Sequence, residues 1–360
     1  MIKRVINKLI VSLIVVLVFS IATIIIIKPF LKDNSTEASE LVNSQLKVVK
    51  TKEPNSNKIS TNPMTMLKAD GNRITNSINT DIKLKGLMPP DLSVLKKDKR
   101  FNKAFFEEIK NTGANVVRIP VHPDLFVKDK DYIDKYLVPA VTWTNELGLY
   151  AIIDLHYIGN IVTGEGEQMP KISVDSNVLA KEFWIKISSL FKDYPNVIFE
   201  ICNEPTAINA TQWYECANGL VALIREQGAK QLVIVGGIQY SQDLSWVKET
   251  PITDDNIAYA SHIYPAHSSG NWDGWFGEVS KLKPVIITEW GFIDENRDIT
   301  KQQYLVGDKE TYGKPFVDYL DKNNIGWVAC WYDDTWEPQM FKSHSKNYTN
   351  YGSFIMQKLK

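Results

Sequence analysis

Two glutamates stand at the ends of apolar, β-branched runs, Glu204 in "VIFEICNEP" (197–205) and Glu289 in "VIITEWG" (285–291). An ionised side chain at the end of a buried strand loses hydration that the neighbouring Val and Ile cannot replace, so it is either compensated or used. Two carboxyl groups facing each other across a cleft are what cleavage of a glycosidic bond requires. One protonates the leaving oxygen while the other attacks the anomeric carbon or activates water. A separation of about 5 Å gives retention through a covalent intermediate, and a wider one gives inversion.

The elements that must position this pair are legible as a repeat. From residue 79 onward eight short apolar runs recur: 82–89, 114–121, 149–157, 196–205, 231–237, 257–265, 283–291 and 325–333. Most are continuously apolar, as in strands covered on both faces. Amphipathic stretches lie between them. In "FNKAFFEEIKNTG", Phe101, Phe105 and Ile109 fall on one side and Gly113 supplies a stop, while Leu179, Phe183, Ile187 and Leu190 keep helical spacing in the segment 178–194. This α/β pattern predicts a (β/α)8 TIM barrel, the closed alternative to a doubly wound sheet, and no G-x-G-x-x-G follows the first strand.

In a barrel, function gathers at the carboxyl ends of the strands. Those ends carry Arg118, His156, Asn203, Glu204, His262, Tyr264, Glu289, Trp290 and Trp331. Any one of these is readily a satisfied core residue, but their shared location is not expected of independent accidents. Glu204 and Glu289 would end the fourth and seventh strands and face each other across the mouth. Glu200 shares strand parity with Glu204 and is expected to pair with a buried cation such as Arg118. Trp272 and Trp275, after the sixth strand, and Trp336, after the eighth, are candidate platforms for sugar rings; the competing reading is that they pin their loops. His267 and His344 have no supporting pattern. No H-x-H cluster suited to zinc lies at a strand end, so no metal site is expected.

Composition narrows the partners. The 41 basic and 42 acidic residues leave a formal charge of −1, without the electrostatic footprint of a nucleic-acid binder. Three cysteines provide no disulfide framework, and Cys202 and Cys330 sit in apolar runs as small hydrophobes. Lys3, Arg4 and Lys8 precede 19 uncharged residues (9–27), enough for a membrane-crossing helix with a cytoplasmic N-terminus. A cleaved signal peptide is the rival, since Ser20 and Ala22 form a weak cleavage site, but the apolar run continues past it. The expected organisation is an anchor or signal segment (1–32), a polar linker (33–78) and a catalytic barrel (79–360) on the extracellular side.

"ICNEP" and "IITEWG", with "RIP", "IDLH", "SHIYP" and "ACWYD" in the same order, resemble glycoside hydrolase family 5, the cellulase A group, over residues 79 to 345. The resemblance implies a retaining, cofactor-free (β/α)8 endoglucanase with Glu204 as acid/base and Glu289 as nucleophile. It further implies Arg118 and Tyr264 beside Glu289, Asn203 on the sugar 2-hydroxyl, His156 and His262 on hydroxyls or assisting Glu204, and Trp331 facing the sugar at the cleavage point. The expected substrate is a β-1,4-glucan, acted on by a monomeric catalytic domain. The alternatives are a β-mannanase with the same chemistry, a metal-dependent barrel hydrolase and a non-catalytic carbohydrate-binding barrel.

Overall fold

The computed structural model describes residues 64–267, 269–294 and 302–360. Its eight main strands are β1 (Lys85–Met88), β2 (Val116–Val121), β3 (Tyr150–Leu155), β4 (Val197–Glu200), β5 (Val233–Gly236), β6 (Ile257–Ile263), β7 (Val285–Trp290) and β8 (Gly326–Cys330). Each lies parallel to its neighbours in sequence, and β8 pairs with β1 to close the barrel. All eight predicted runs are present. Every strand residue except Lys85 is buried, which is why these runs read as continuously apolar rather than alternating.

The helix at Lys103–Asn111 is capped by Asn102, whose side chain accepts from the Phe105 amide, and buries Phe105, Phe106 and Ile109. The helix at Ser176–Phe191 starts at Asp175 and buries Leu179, Phe183 and Ile187 as expected. Its buried face is wider than the stripe read from sequence and takes in Ala180, Trp184 and Phe191, leaving Leu190 39% exposed at the margin.

Strand alternation divides the core in two. Val117, Ile119, Ile153 and Phe199 point outward into the layer shared with the helices. Val116, Ile152, Ile198, Ile234, Ala260 and Ile286 point into the barrel. Two residues further along the same strands, the period of two delivers Arg118, Asp154, Glu200, His262 and Thr288 to the next interior layer, where all five are buried. An apolar plug thus supports a polar floor.

The amino end is closed by a hairpin, Lys68–Asp70 with Arg73–Thr75, whose Leu67 and Ile74 join the interior cluster with Leu84, Tyr150 and Leu232. This corrects the expectation that the polar linker runs to residue 78. The overlooked signal is the Gly71-Asn72 dipeptide, with Gly71 at φ 62°, a turn that reverses a chain within two residues. A second correction concerns Glu204. The chain leaves the barrel after Glu200, and Glu204–Pro205 pairs instead with Ile158–Gly159, an extension of β3. The Asn203 and Glu204 amides donate to Leu155 and Tyr157 at 3.0 and 3.1 Å, so this excursion is as firmly held as a strand. No helix among the described residues is long and apolar enough to cross a membrane, and the apolar segment 9–27 lies outside them.

At the centre of the polar floor, the Arg118 guanidinium donates from Nε to Glu200 at 2.7 Å and from Nη2 to Asn203 Oδ1 at 2.8 Å. Its Nη2 also lies 3.1 Å from Asp154. Glu200 therefore pairs with Arg118 as anticipated. Burial alone would raise the Glu200 carboxyl, but the Arg118 charge, the nearby His262 and the Arg118 hydrogen bond bring it down to about 2. A folded value below the unfolded one gives stability that is complete above about 4.5 and is lost as pH falls toward about 2. Arg118→Met leaves the buried carboxyl groups without their cation and is expected to cost about 3–5 kcal/mol near neutral pH. Denaturant midpoints of the two proteins should draw together below about pH 4 as the carboxyl groups of the variant protonate.

Candidate active site

A cleft of about 790 Å³ opens at the carboxyl end of the barrel, with Glu204, Glu289, Asn203, His156, His262, Tyr264 and Trp331 all among its lining residues. Arg118 lies beneath them, fully buried. Eight of the nine strand-end residues singled out from sequence therefore converge on one place, while Trp290 is buried in the outer core.

Glu289 is the penultimate residue of β7. Its Oε2 accepts from Arg118 Nη1 at 2.9 Å and its Oε1 from the Tyr264 hydroxyl at 2.6 Å. Glu204 is held through Oε1 by His262 Nδ1 at 2.9 Å. One oxygen of each glutamate and a His262 nitrogen lie within 4.8 Å of one another. The sequence could not give this separation, and it falls at the short spacing.

The two carboxyl groups are pushed in opposite directions. Burial is the largest influence on Glu289 and would raise it, but the charges of His262 and Arg118, with the Tyr264 hydrogen bond, hold it below the ordinary carboxylate value. Burial also dominates at Glu204, and there it prevails: the Glu289 charge adds to it, the His262 contact opposes it, and the net shift is upward. His262 is disfavoured as a cation by burial, yet Glu289, Glu200 and Glu204 raise it to about 9. Its Nε2 meets the Thr288 hydroxyl at 3.0 Å, and that hydroxyl donates to Glu200 at 2.6 Å.

On the opposite wall, His156 Nδ1 lies 2.6 Å from Asp154 Oδ2. Burial, with the neighbouring His122 and Arg118, lowers the imidazole far enough to keep it neutral. Asp154 is pushed well up by burial, because the Arg118 charge that opposes this is shared with Glu200 and Glu289. Arg118 and His262 are thus favoured as cations and Glu200 and Glu289 as anions, whereas Glu204 and Asp154 are pushed toward their protonated forms. Glu204, His262 and Glu289 each offer one ligand atom within 4.8 Å of the others.

The tryptophans divide. Trp331 and Trp336 both line the cleft and meet edge to face at 4.8 Å. Trp272 does not reach it: it is 4% exposed, packed against Phe316 and Tyr319, with Nε1 donating to His267 O. Trp275 is half-buried against His267 and also lies off the cleft. The expectation of sugar platforms at Trp272 and Trp275 is corrected, since an indole in a short loop beside an apolar helix gains more from core burial than from display. Sequence reasoning missed His122, Tyr240, Gln242, Gln302 and Tyr304, which line the cleft from loops, and assigned no role to His267, which lines it too. Only His122, directly after β2, carried a positional signal.

The profile of the family Cellulase (glycosyl hydrolase family 5) matches residues 75–334. Endoglucanase A of Evansella cellulosilytica is 28% identical over 211 residues, covering 56% of this chain and 39% of that protein. An endoglucanase of Clostridium saccharobutylicum is 26% identical over 273 residues, covering 73% of this chain and 56% of its own. The chain spans less than two thirds of the length of either relative. The crystal structure of β-glucanase SdGluc5_26A from Saccharophagus degradans in complex with cellotetraose superposes with a TM-score of 0.77 at 25% identity, over 85% of this chain and 97% of that one. Since the matched span takes in all eight strands together with Glu204 and Glu289, the chain belongs to the cellulase family, glycosyl hydrolase family 5.

Proposed function

We propose that this protein is a retaining endo-β-1,4-glucanase in which Glu289 is the nucleophile and Glu204 the acid/base. The observation that carries the reading is a pair of carboxyl groups with one oxygen of each within 4.8 Å of the other, whose proton affinities are displaced in opposite directions. The endoglucanase relatives and the cellotetraose-bound β-glucanase support the choice of glucan as substrate.

In the first step the Glu204 proton passes to the glycosidic oxygen as Glu289 attacks the anomeric carbon, breaking the C–O bond and forming a glycosyl ester. In the second, Glu204 takes a proton from water, which attacks the same carbon and releases Glu289. Tyr264 and Arg118 hold one Glu289 oxygen each, so the attacking group is oriented before substrate arrives. Asn203 accepts from Arg118 through Oδ1, which turns its amide N–H groups away from the guanidinium and makes them donors for the 2-hydroxyl. Trp331 supplies an apolar face for the sugar at the cleavage point.

We also propose that residues 1–32 anchor the chain in the membrane or direct its secretion, and that the polar segment up to about residue 63 tethers the barrel on the extracellular side. The basic flank of Lys3, Arg4 and Lys8 before 19 uncharged residues supports this. A polymer too large to enter a cell is met outside.

Glu289→Gln is expected to lower turnover by about four orders of magnitude or more, and Glu204→Gln by about two to four. Reducing-end release from carboxymethylcellulose, run beside glucomannan, measures both effects; activity confined to mannan would replace the glucanase assignment. The kcat/KM profile of the parent should be bell-shaped, rising as Glu289 ionises below 4.5 and falling as Glu204 loses its proton above it. In Glu204→Gln the alkaline limb should disappear while the acid limb remains. Fractionation of cells expressing the full chain should find the enzyme in the membrane pellet and accessible to added protease; recovery in the cytosol would sink the anchor.

A further inference from the structure

We propose that a second groove, on the far side of the loop following β8, is a non-catalytic binding site for a neutral β-linked glycan chain. The inference rests on the glycanase reading above. At about 860 Å³ this groove matches the cleft in size, and it runs between the helices at Lys103–Asn111 and Asn350–Leu359 and the segment 341–348.

Its centre is a ladder of three aromatic rings leading from core to surface. Tyr332, 4% exposed, meets Phe341 edge to face at 4.9 Å. Phe341 in turn stacks on Tyr348 at 5.0 Å with the planes 28° apart, and Tyr348 is 36% exposed. Phe341 and Tyr348 face each other across an antiparallel bridge, and Lys342 N donates to Asn347 O at 2.9 Å, so the pair is displayed by a closed hairpin. The last ring is rigidly backed on one side. A flat ring fixed in this way loses little conformational entropy when it receives a ligand face.

The polar lining suits hydroxyl groups. Asn111, Glu108, His344, Ser345 and Lys346 provide both donors and acceptors around the ladder. Groups of both signs line it, Lys99, Arg100, Lys346 and Lys360 beside Glu108 and Asp334, with Arg100 paired to Asp333. A neutral polyol can hydrogen-bond to either kind without breaking that pair.

The location links the groove to the chemistry. Trp331 and Thr335 line the cleft, while Tyr332 and Asp334 line the groove, so one loop is the wall of both. Asp334 and Thr335 are adjacent residues, with Cα atoms about 3.8 Å apart. A polymer segment held in the groove is therefore kept beside the cleft mouth, which raises its effective concentration there.

The test is depletion binding to insoluble cellulose, using the full chain carrying Glu289→Gln so that the polymer is not consumed. Adding Tyr348→Ala should weaken adsorption about five-fold or more, whereas adding Tyr348→Phe, which keeps the ring, should leave it within two-fold. In the otherwise wild-type chain, Tyr348→Ala should turn over a soluble chromogenic cellotrioside at the parent rate, showing that the fold and cleft are intact. Undiminished adsorption of the Ala variant, or equal loss in the Phe variant, overturns the inference. Failure of the glycanase reading looks different: the parent would release no reducing ends from any β-glucan, and the groove assignment would fall with it.

Discussion

One buried guanidinium organises this barrel. Arg118 reaches from β2 to Met88 at the end of β1, Asp154 on β3, Glu200 on β4, Asn203 beyond it, and Glu289 on β7, every contact at 3.1 Å or less. A charge removed from water is tolerable only when paired and fully hydrogen-bonded. Arg118 meets that condition by drawing several strands to fixed distances from one point. The same constraint sets the protonation of the floor. One cation cannot ionise three acids around it, so Asp154 is left to burial, which pushes its carboxyl well up.

The different behaviour of the two glutamates follows from how much opposite charge each one meets. Glu289 meets the charges of His262 and Arg118 together, with the Tyr264 hydroxyl besides, and these outweigh its burial. Glu204 faces His262, whose charge is divided among Glu204, Glu200 through Thr288, and the field of Glu289. The coupling also runs in the useful direction. The charge of Glu289 is one of the influences that raise Glu204. In the proposed mechanism esterification removes that charge, and Glu204 then releases its proton more readily when the second step requires a base.

Most of the barrel was legible because its rules are local. Burial on both faces writes itself as continuous apolar runs, and period-two alternation carries Arg118, Glu200, His262 and Thr288 to one layer. The predicted pairing of Glu200 with Arg118 followed from parity alone. What failed needed information that spacing does not carry. Leu67 and Ile74 belong to a stretch with no sustained apolar period, yet they cover the open amino end of the barrel, a vacancy that exists only once all eight strands have closed. Loop membership suggests Trp272 and Trp275 as platforms, but a loop's tryptophan faces whichever neighbour buries it best: for Trp272 that is the helix carrying Phe316 and Tyr319, and Trp275 packs on His267.

The missed wall residues show why loops resist such reading. Tyr240 reaches the cleft from a turn after β5 in which Gln239, Tyr240 and Ser241 all have positive φ, between 54° and 60°. Left-handed backbone at a residue with a side chain costs about 1–3 kcal/mol and persists only where the surroundings over-determine it. Here they do: the Ser241 hydroxyl donates to Asn203 O at 2.7 Å, and Gly237 N donates to Ala260 O at 3.0 Å, binding the turn to both the Asn203 segment and β6. The Tyr240 hydroxyl then reaches Glu167 at 2.9 Å, joining this turn to the long loop after β3. The strain is therefore compensated by the segment that carries Asn203 and Glu204, so the wall of the cleft and the placement of Glu204 are one structural problem, solved by tertiary contacts that no single stretch of sequence contains.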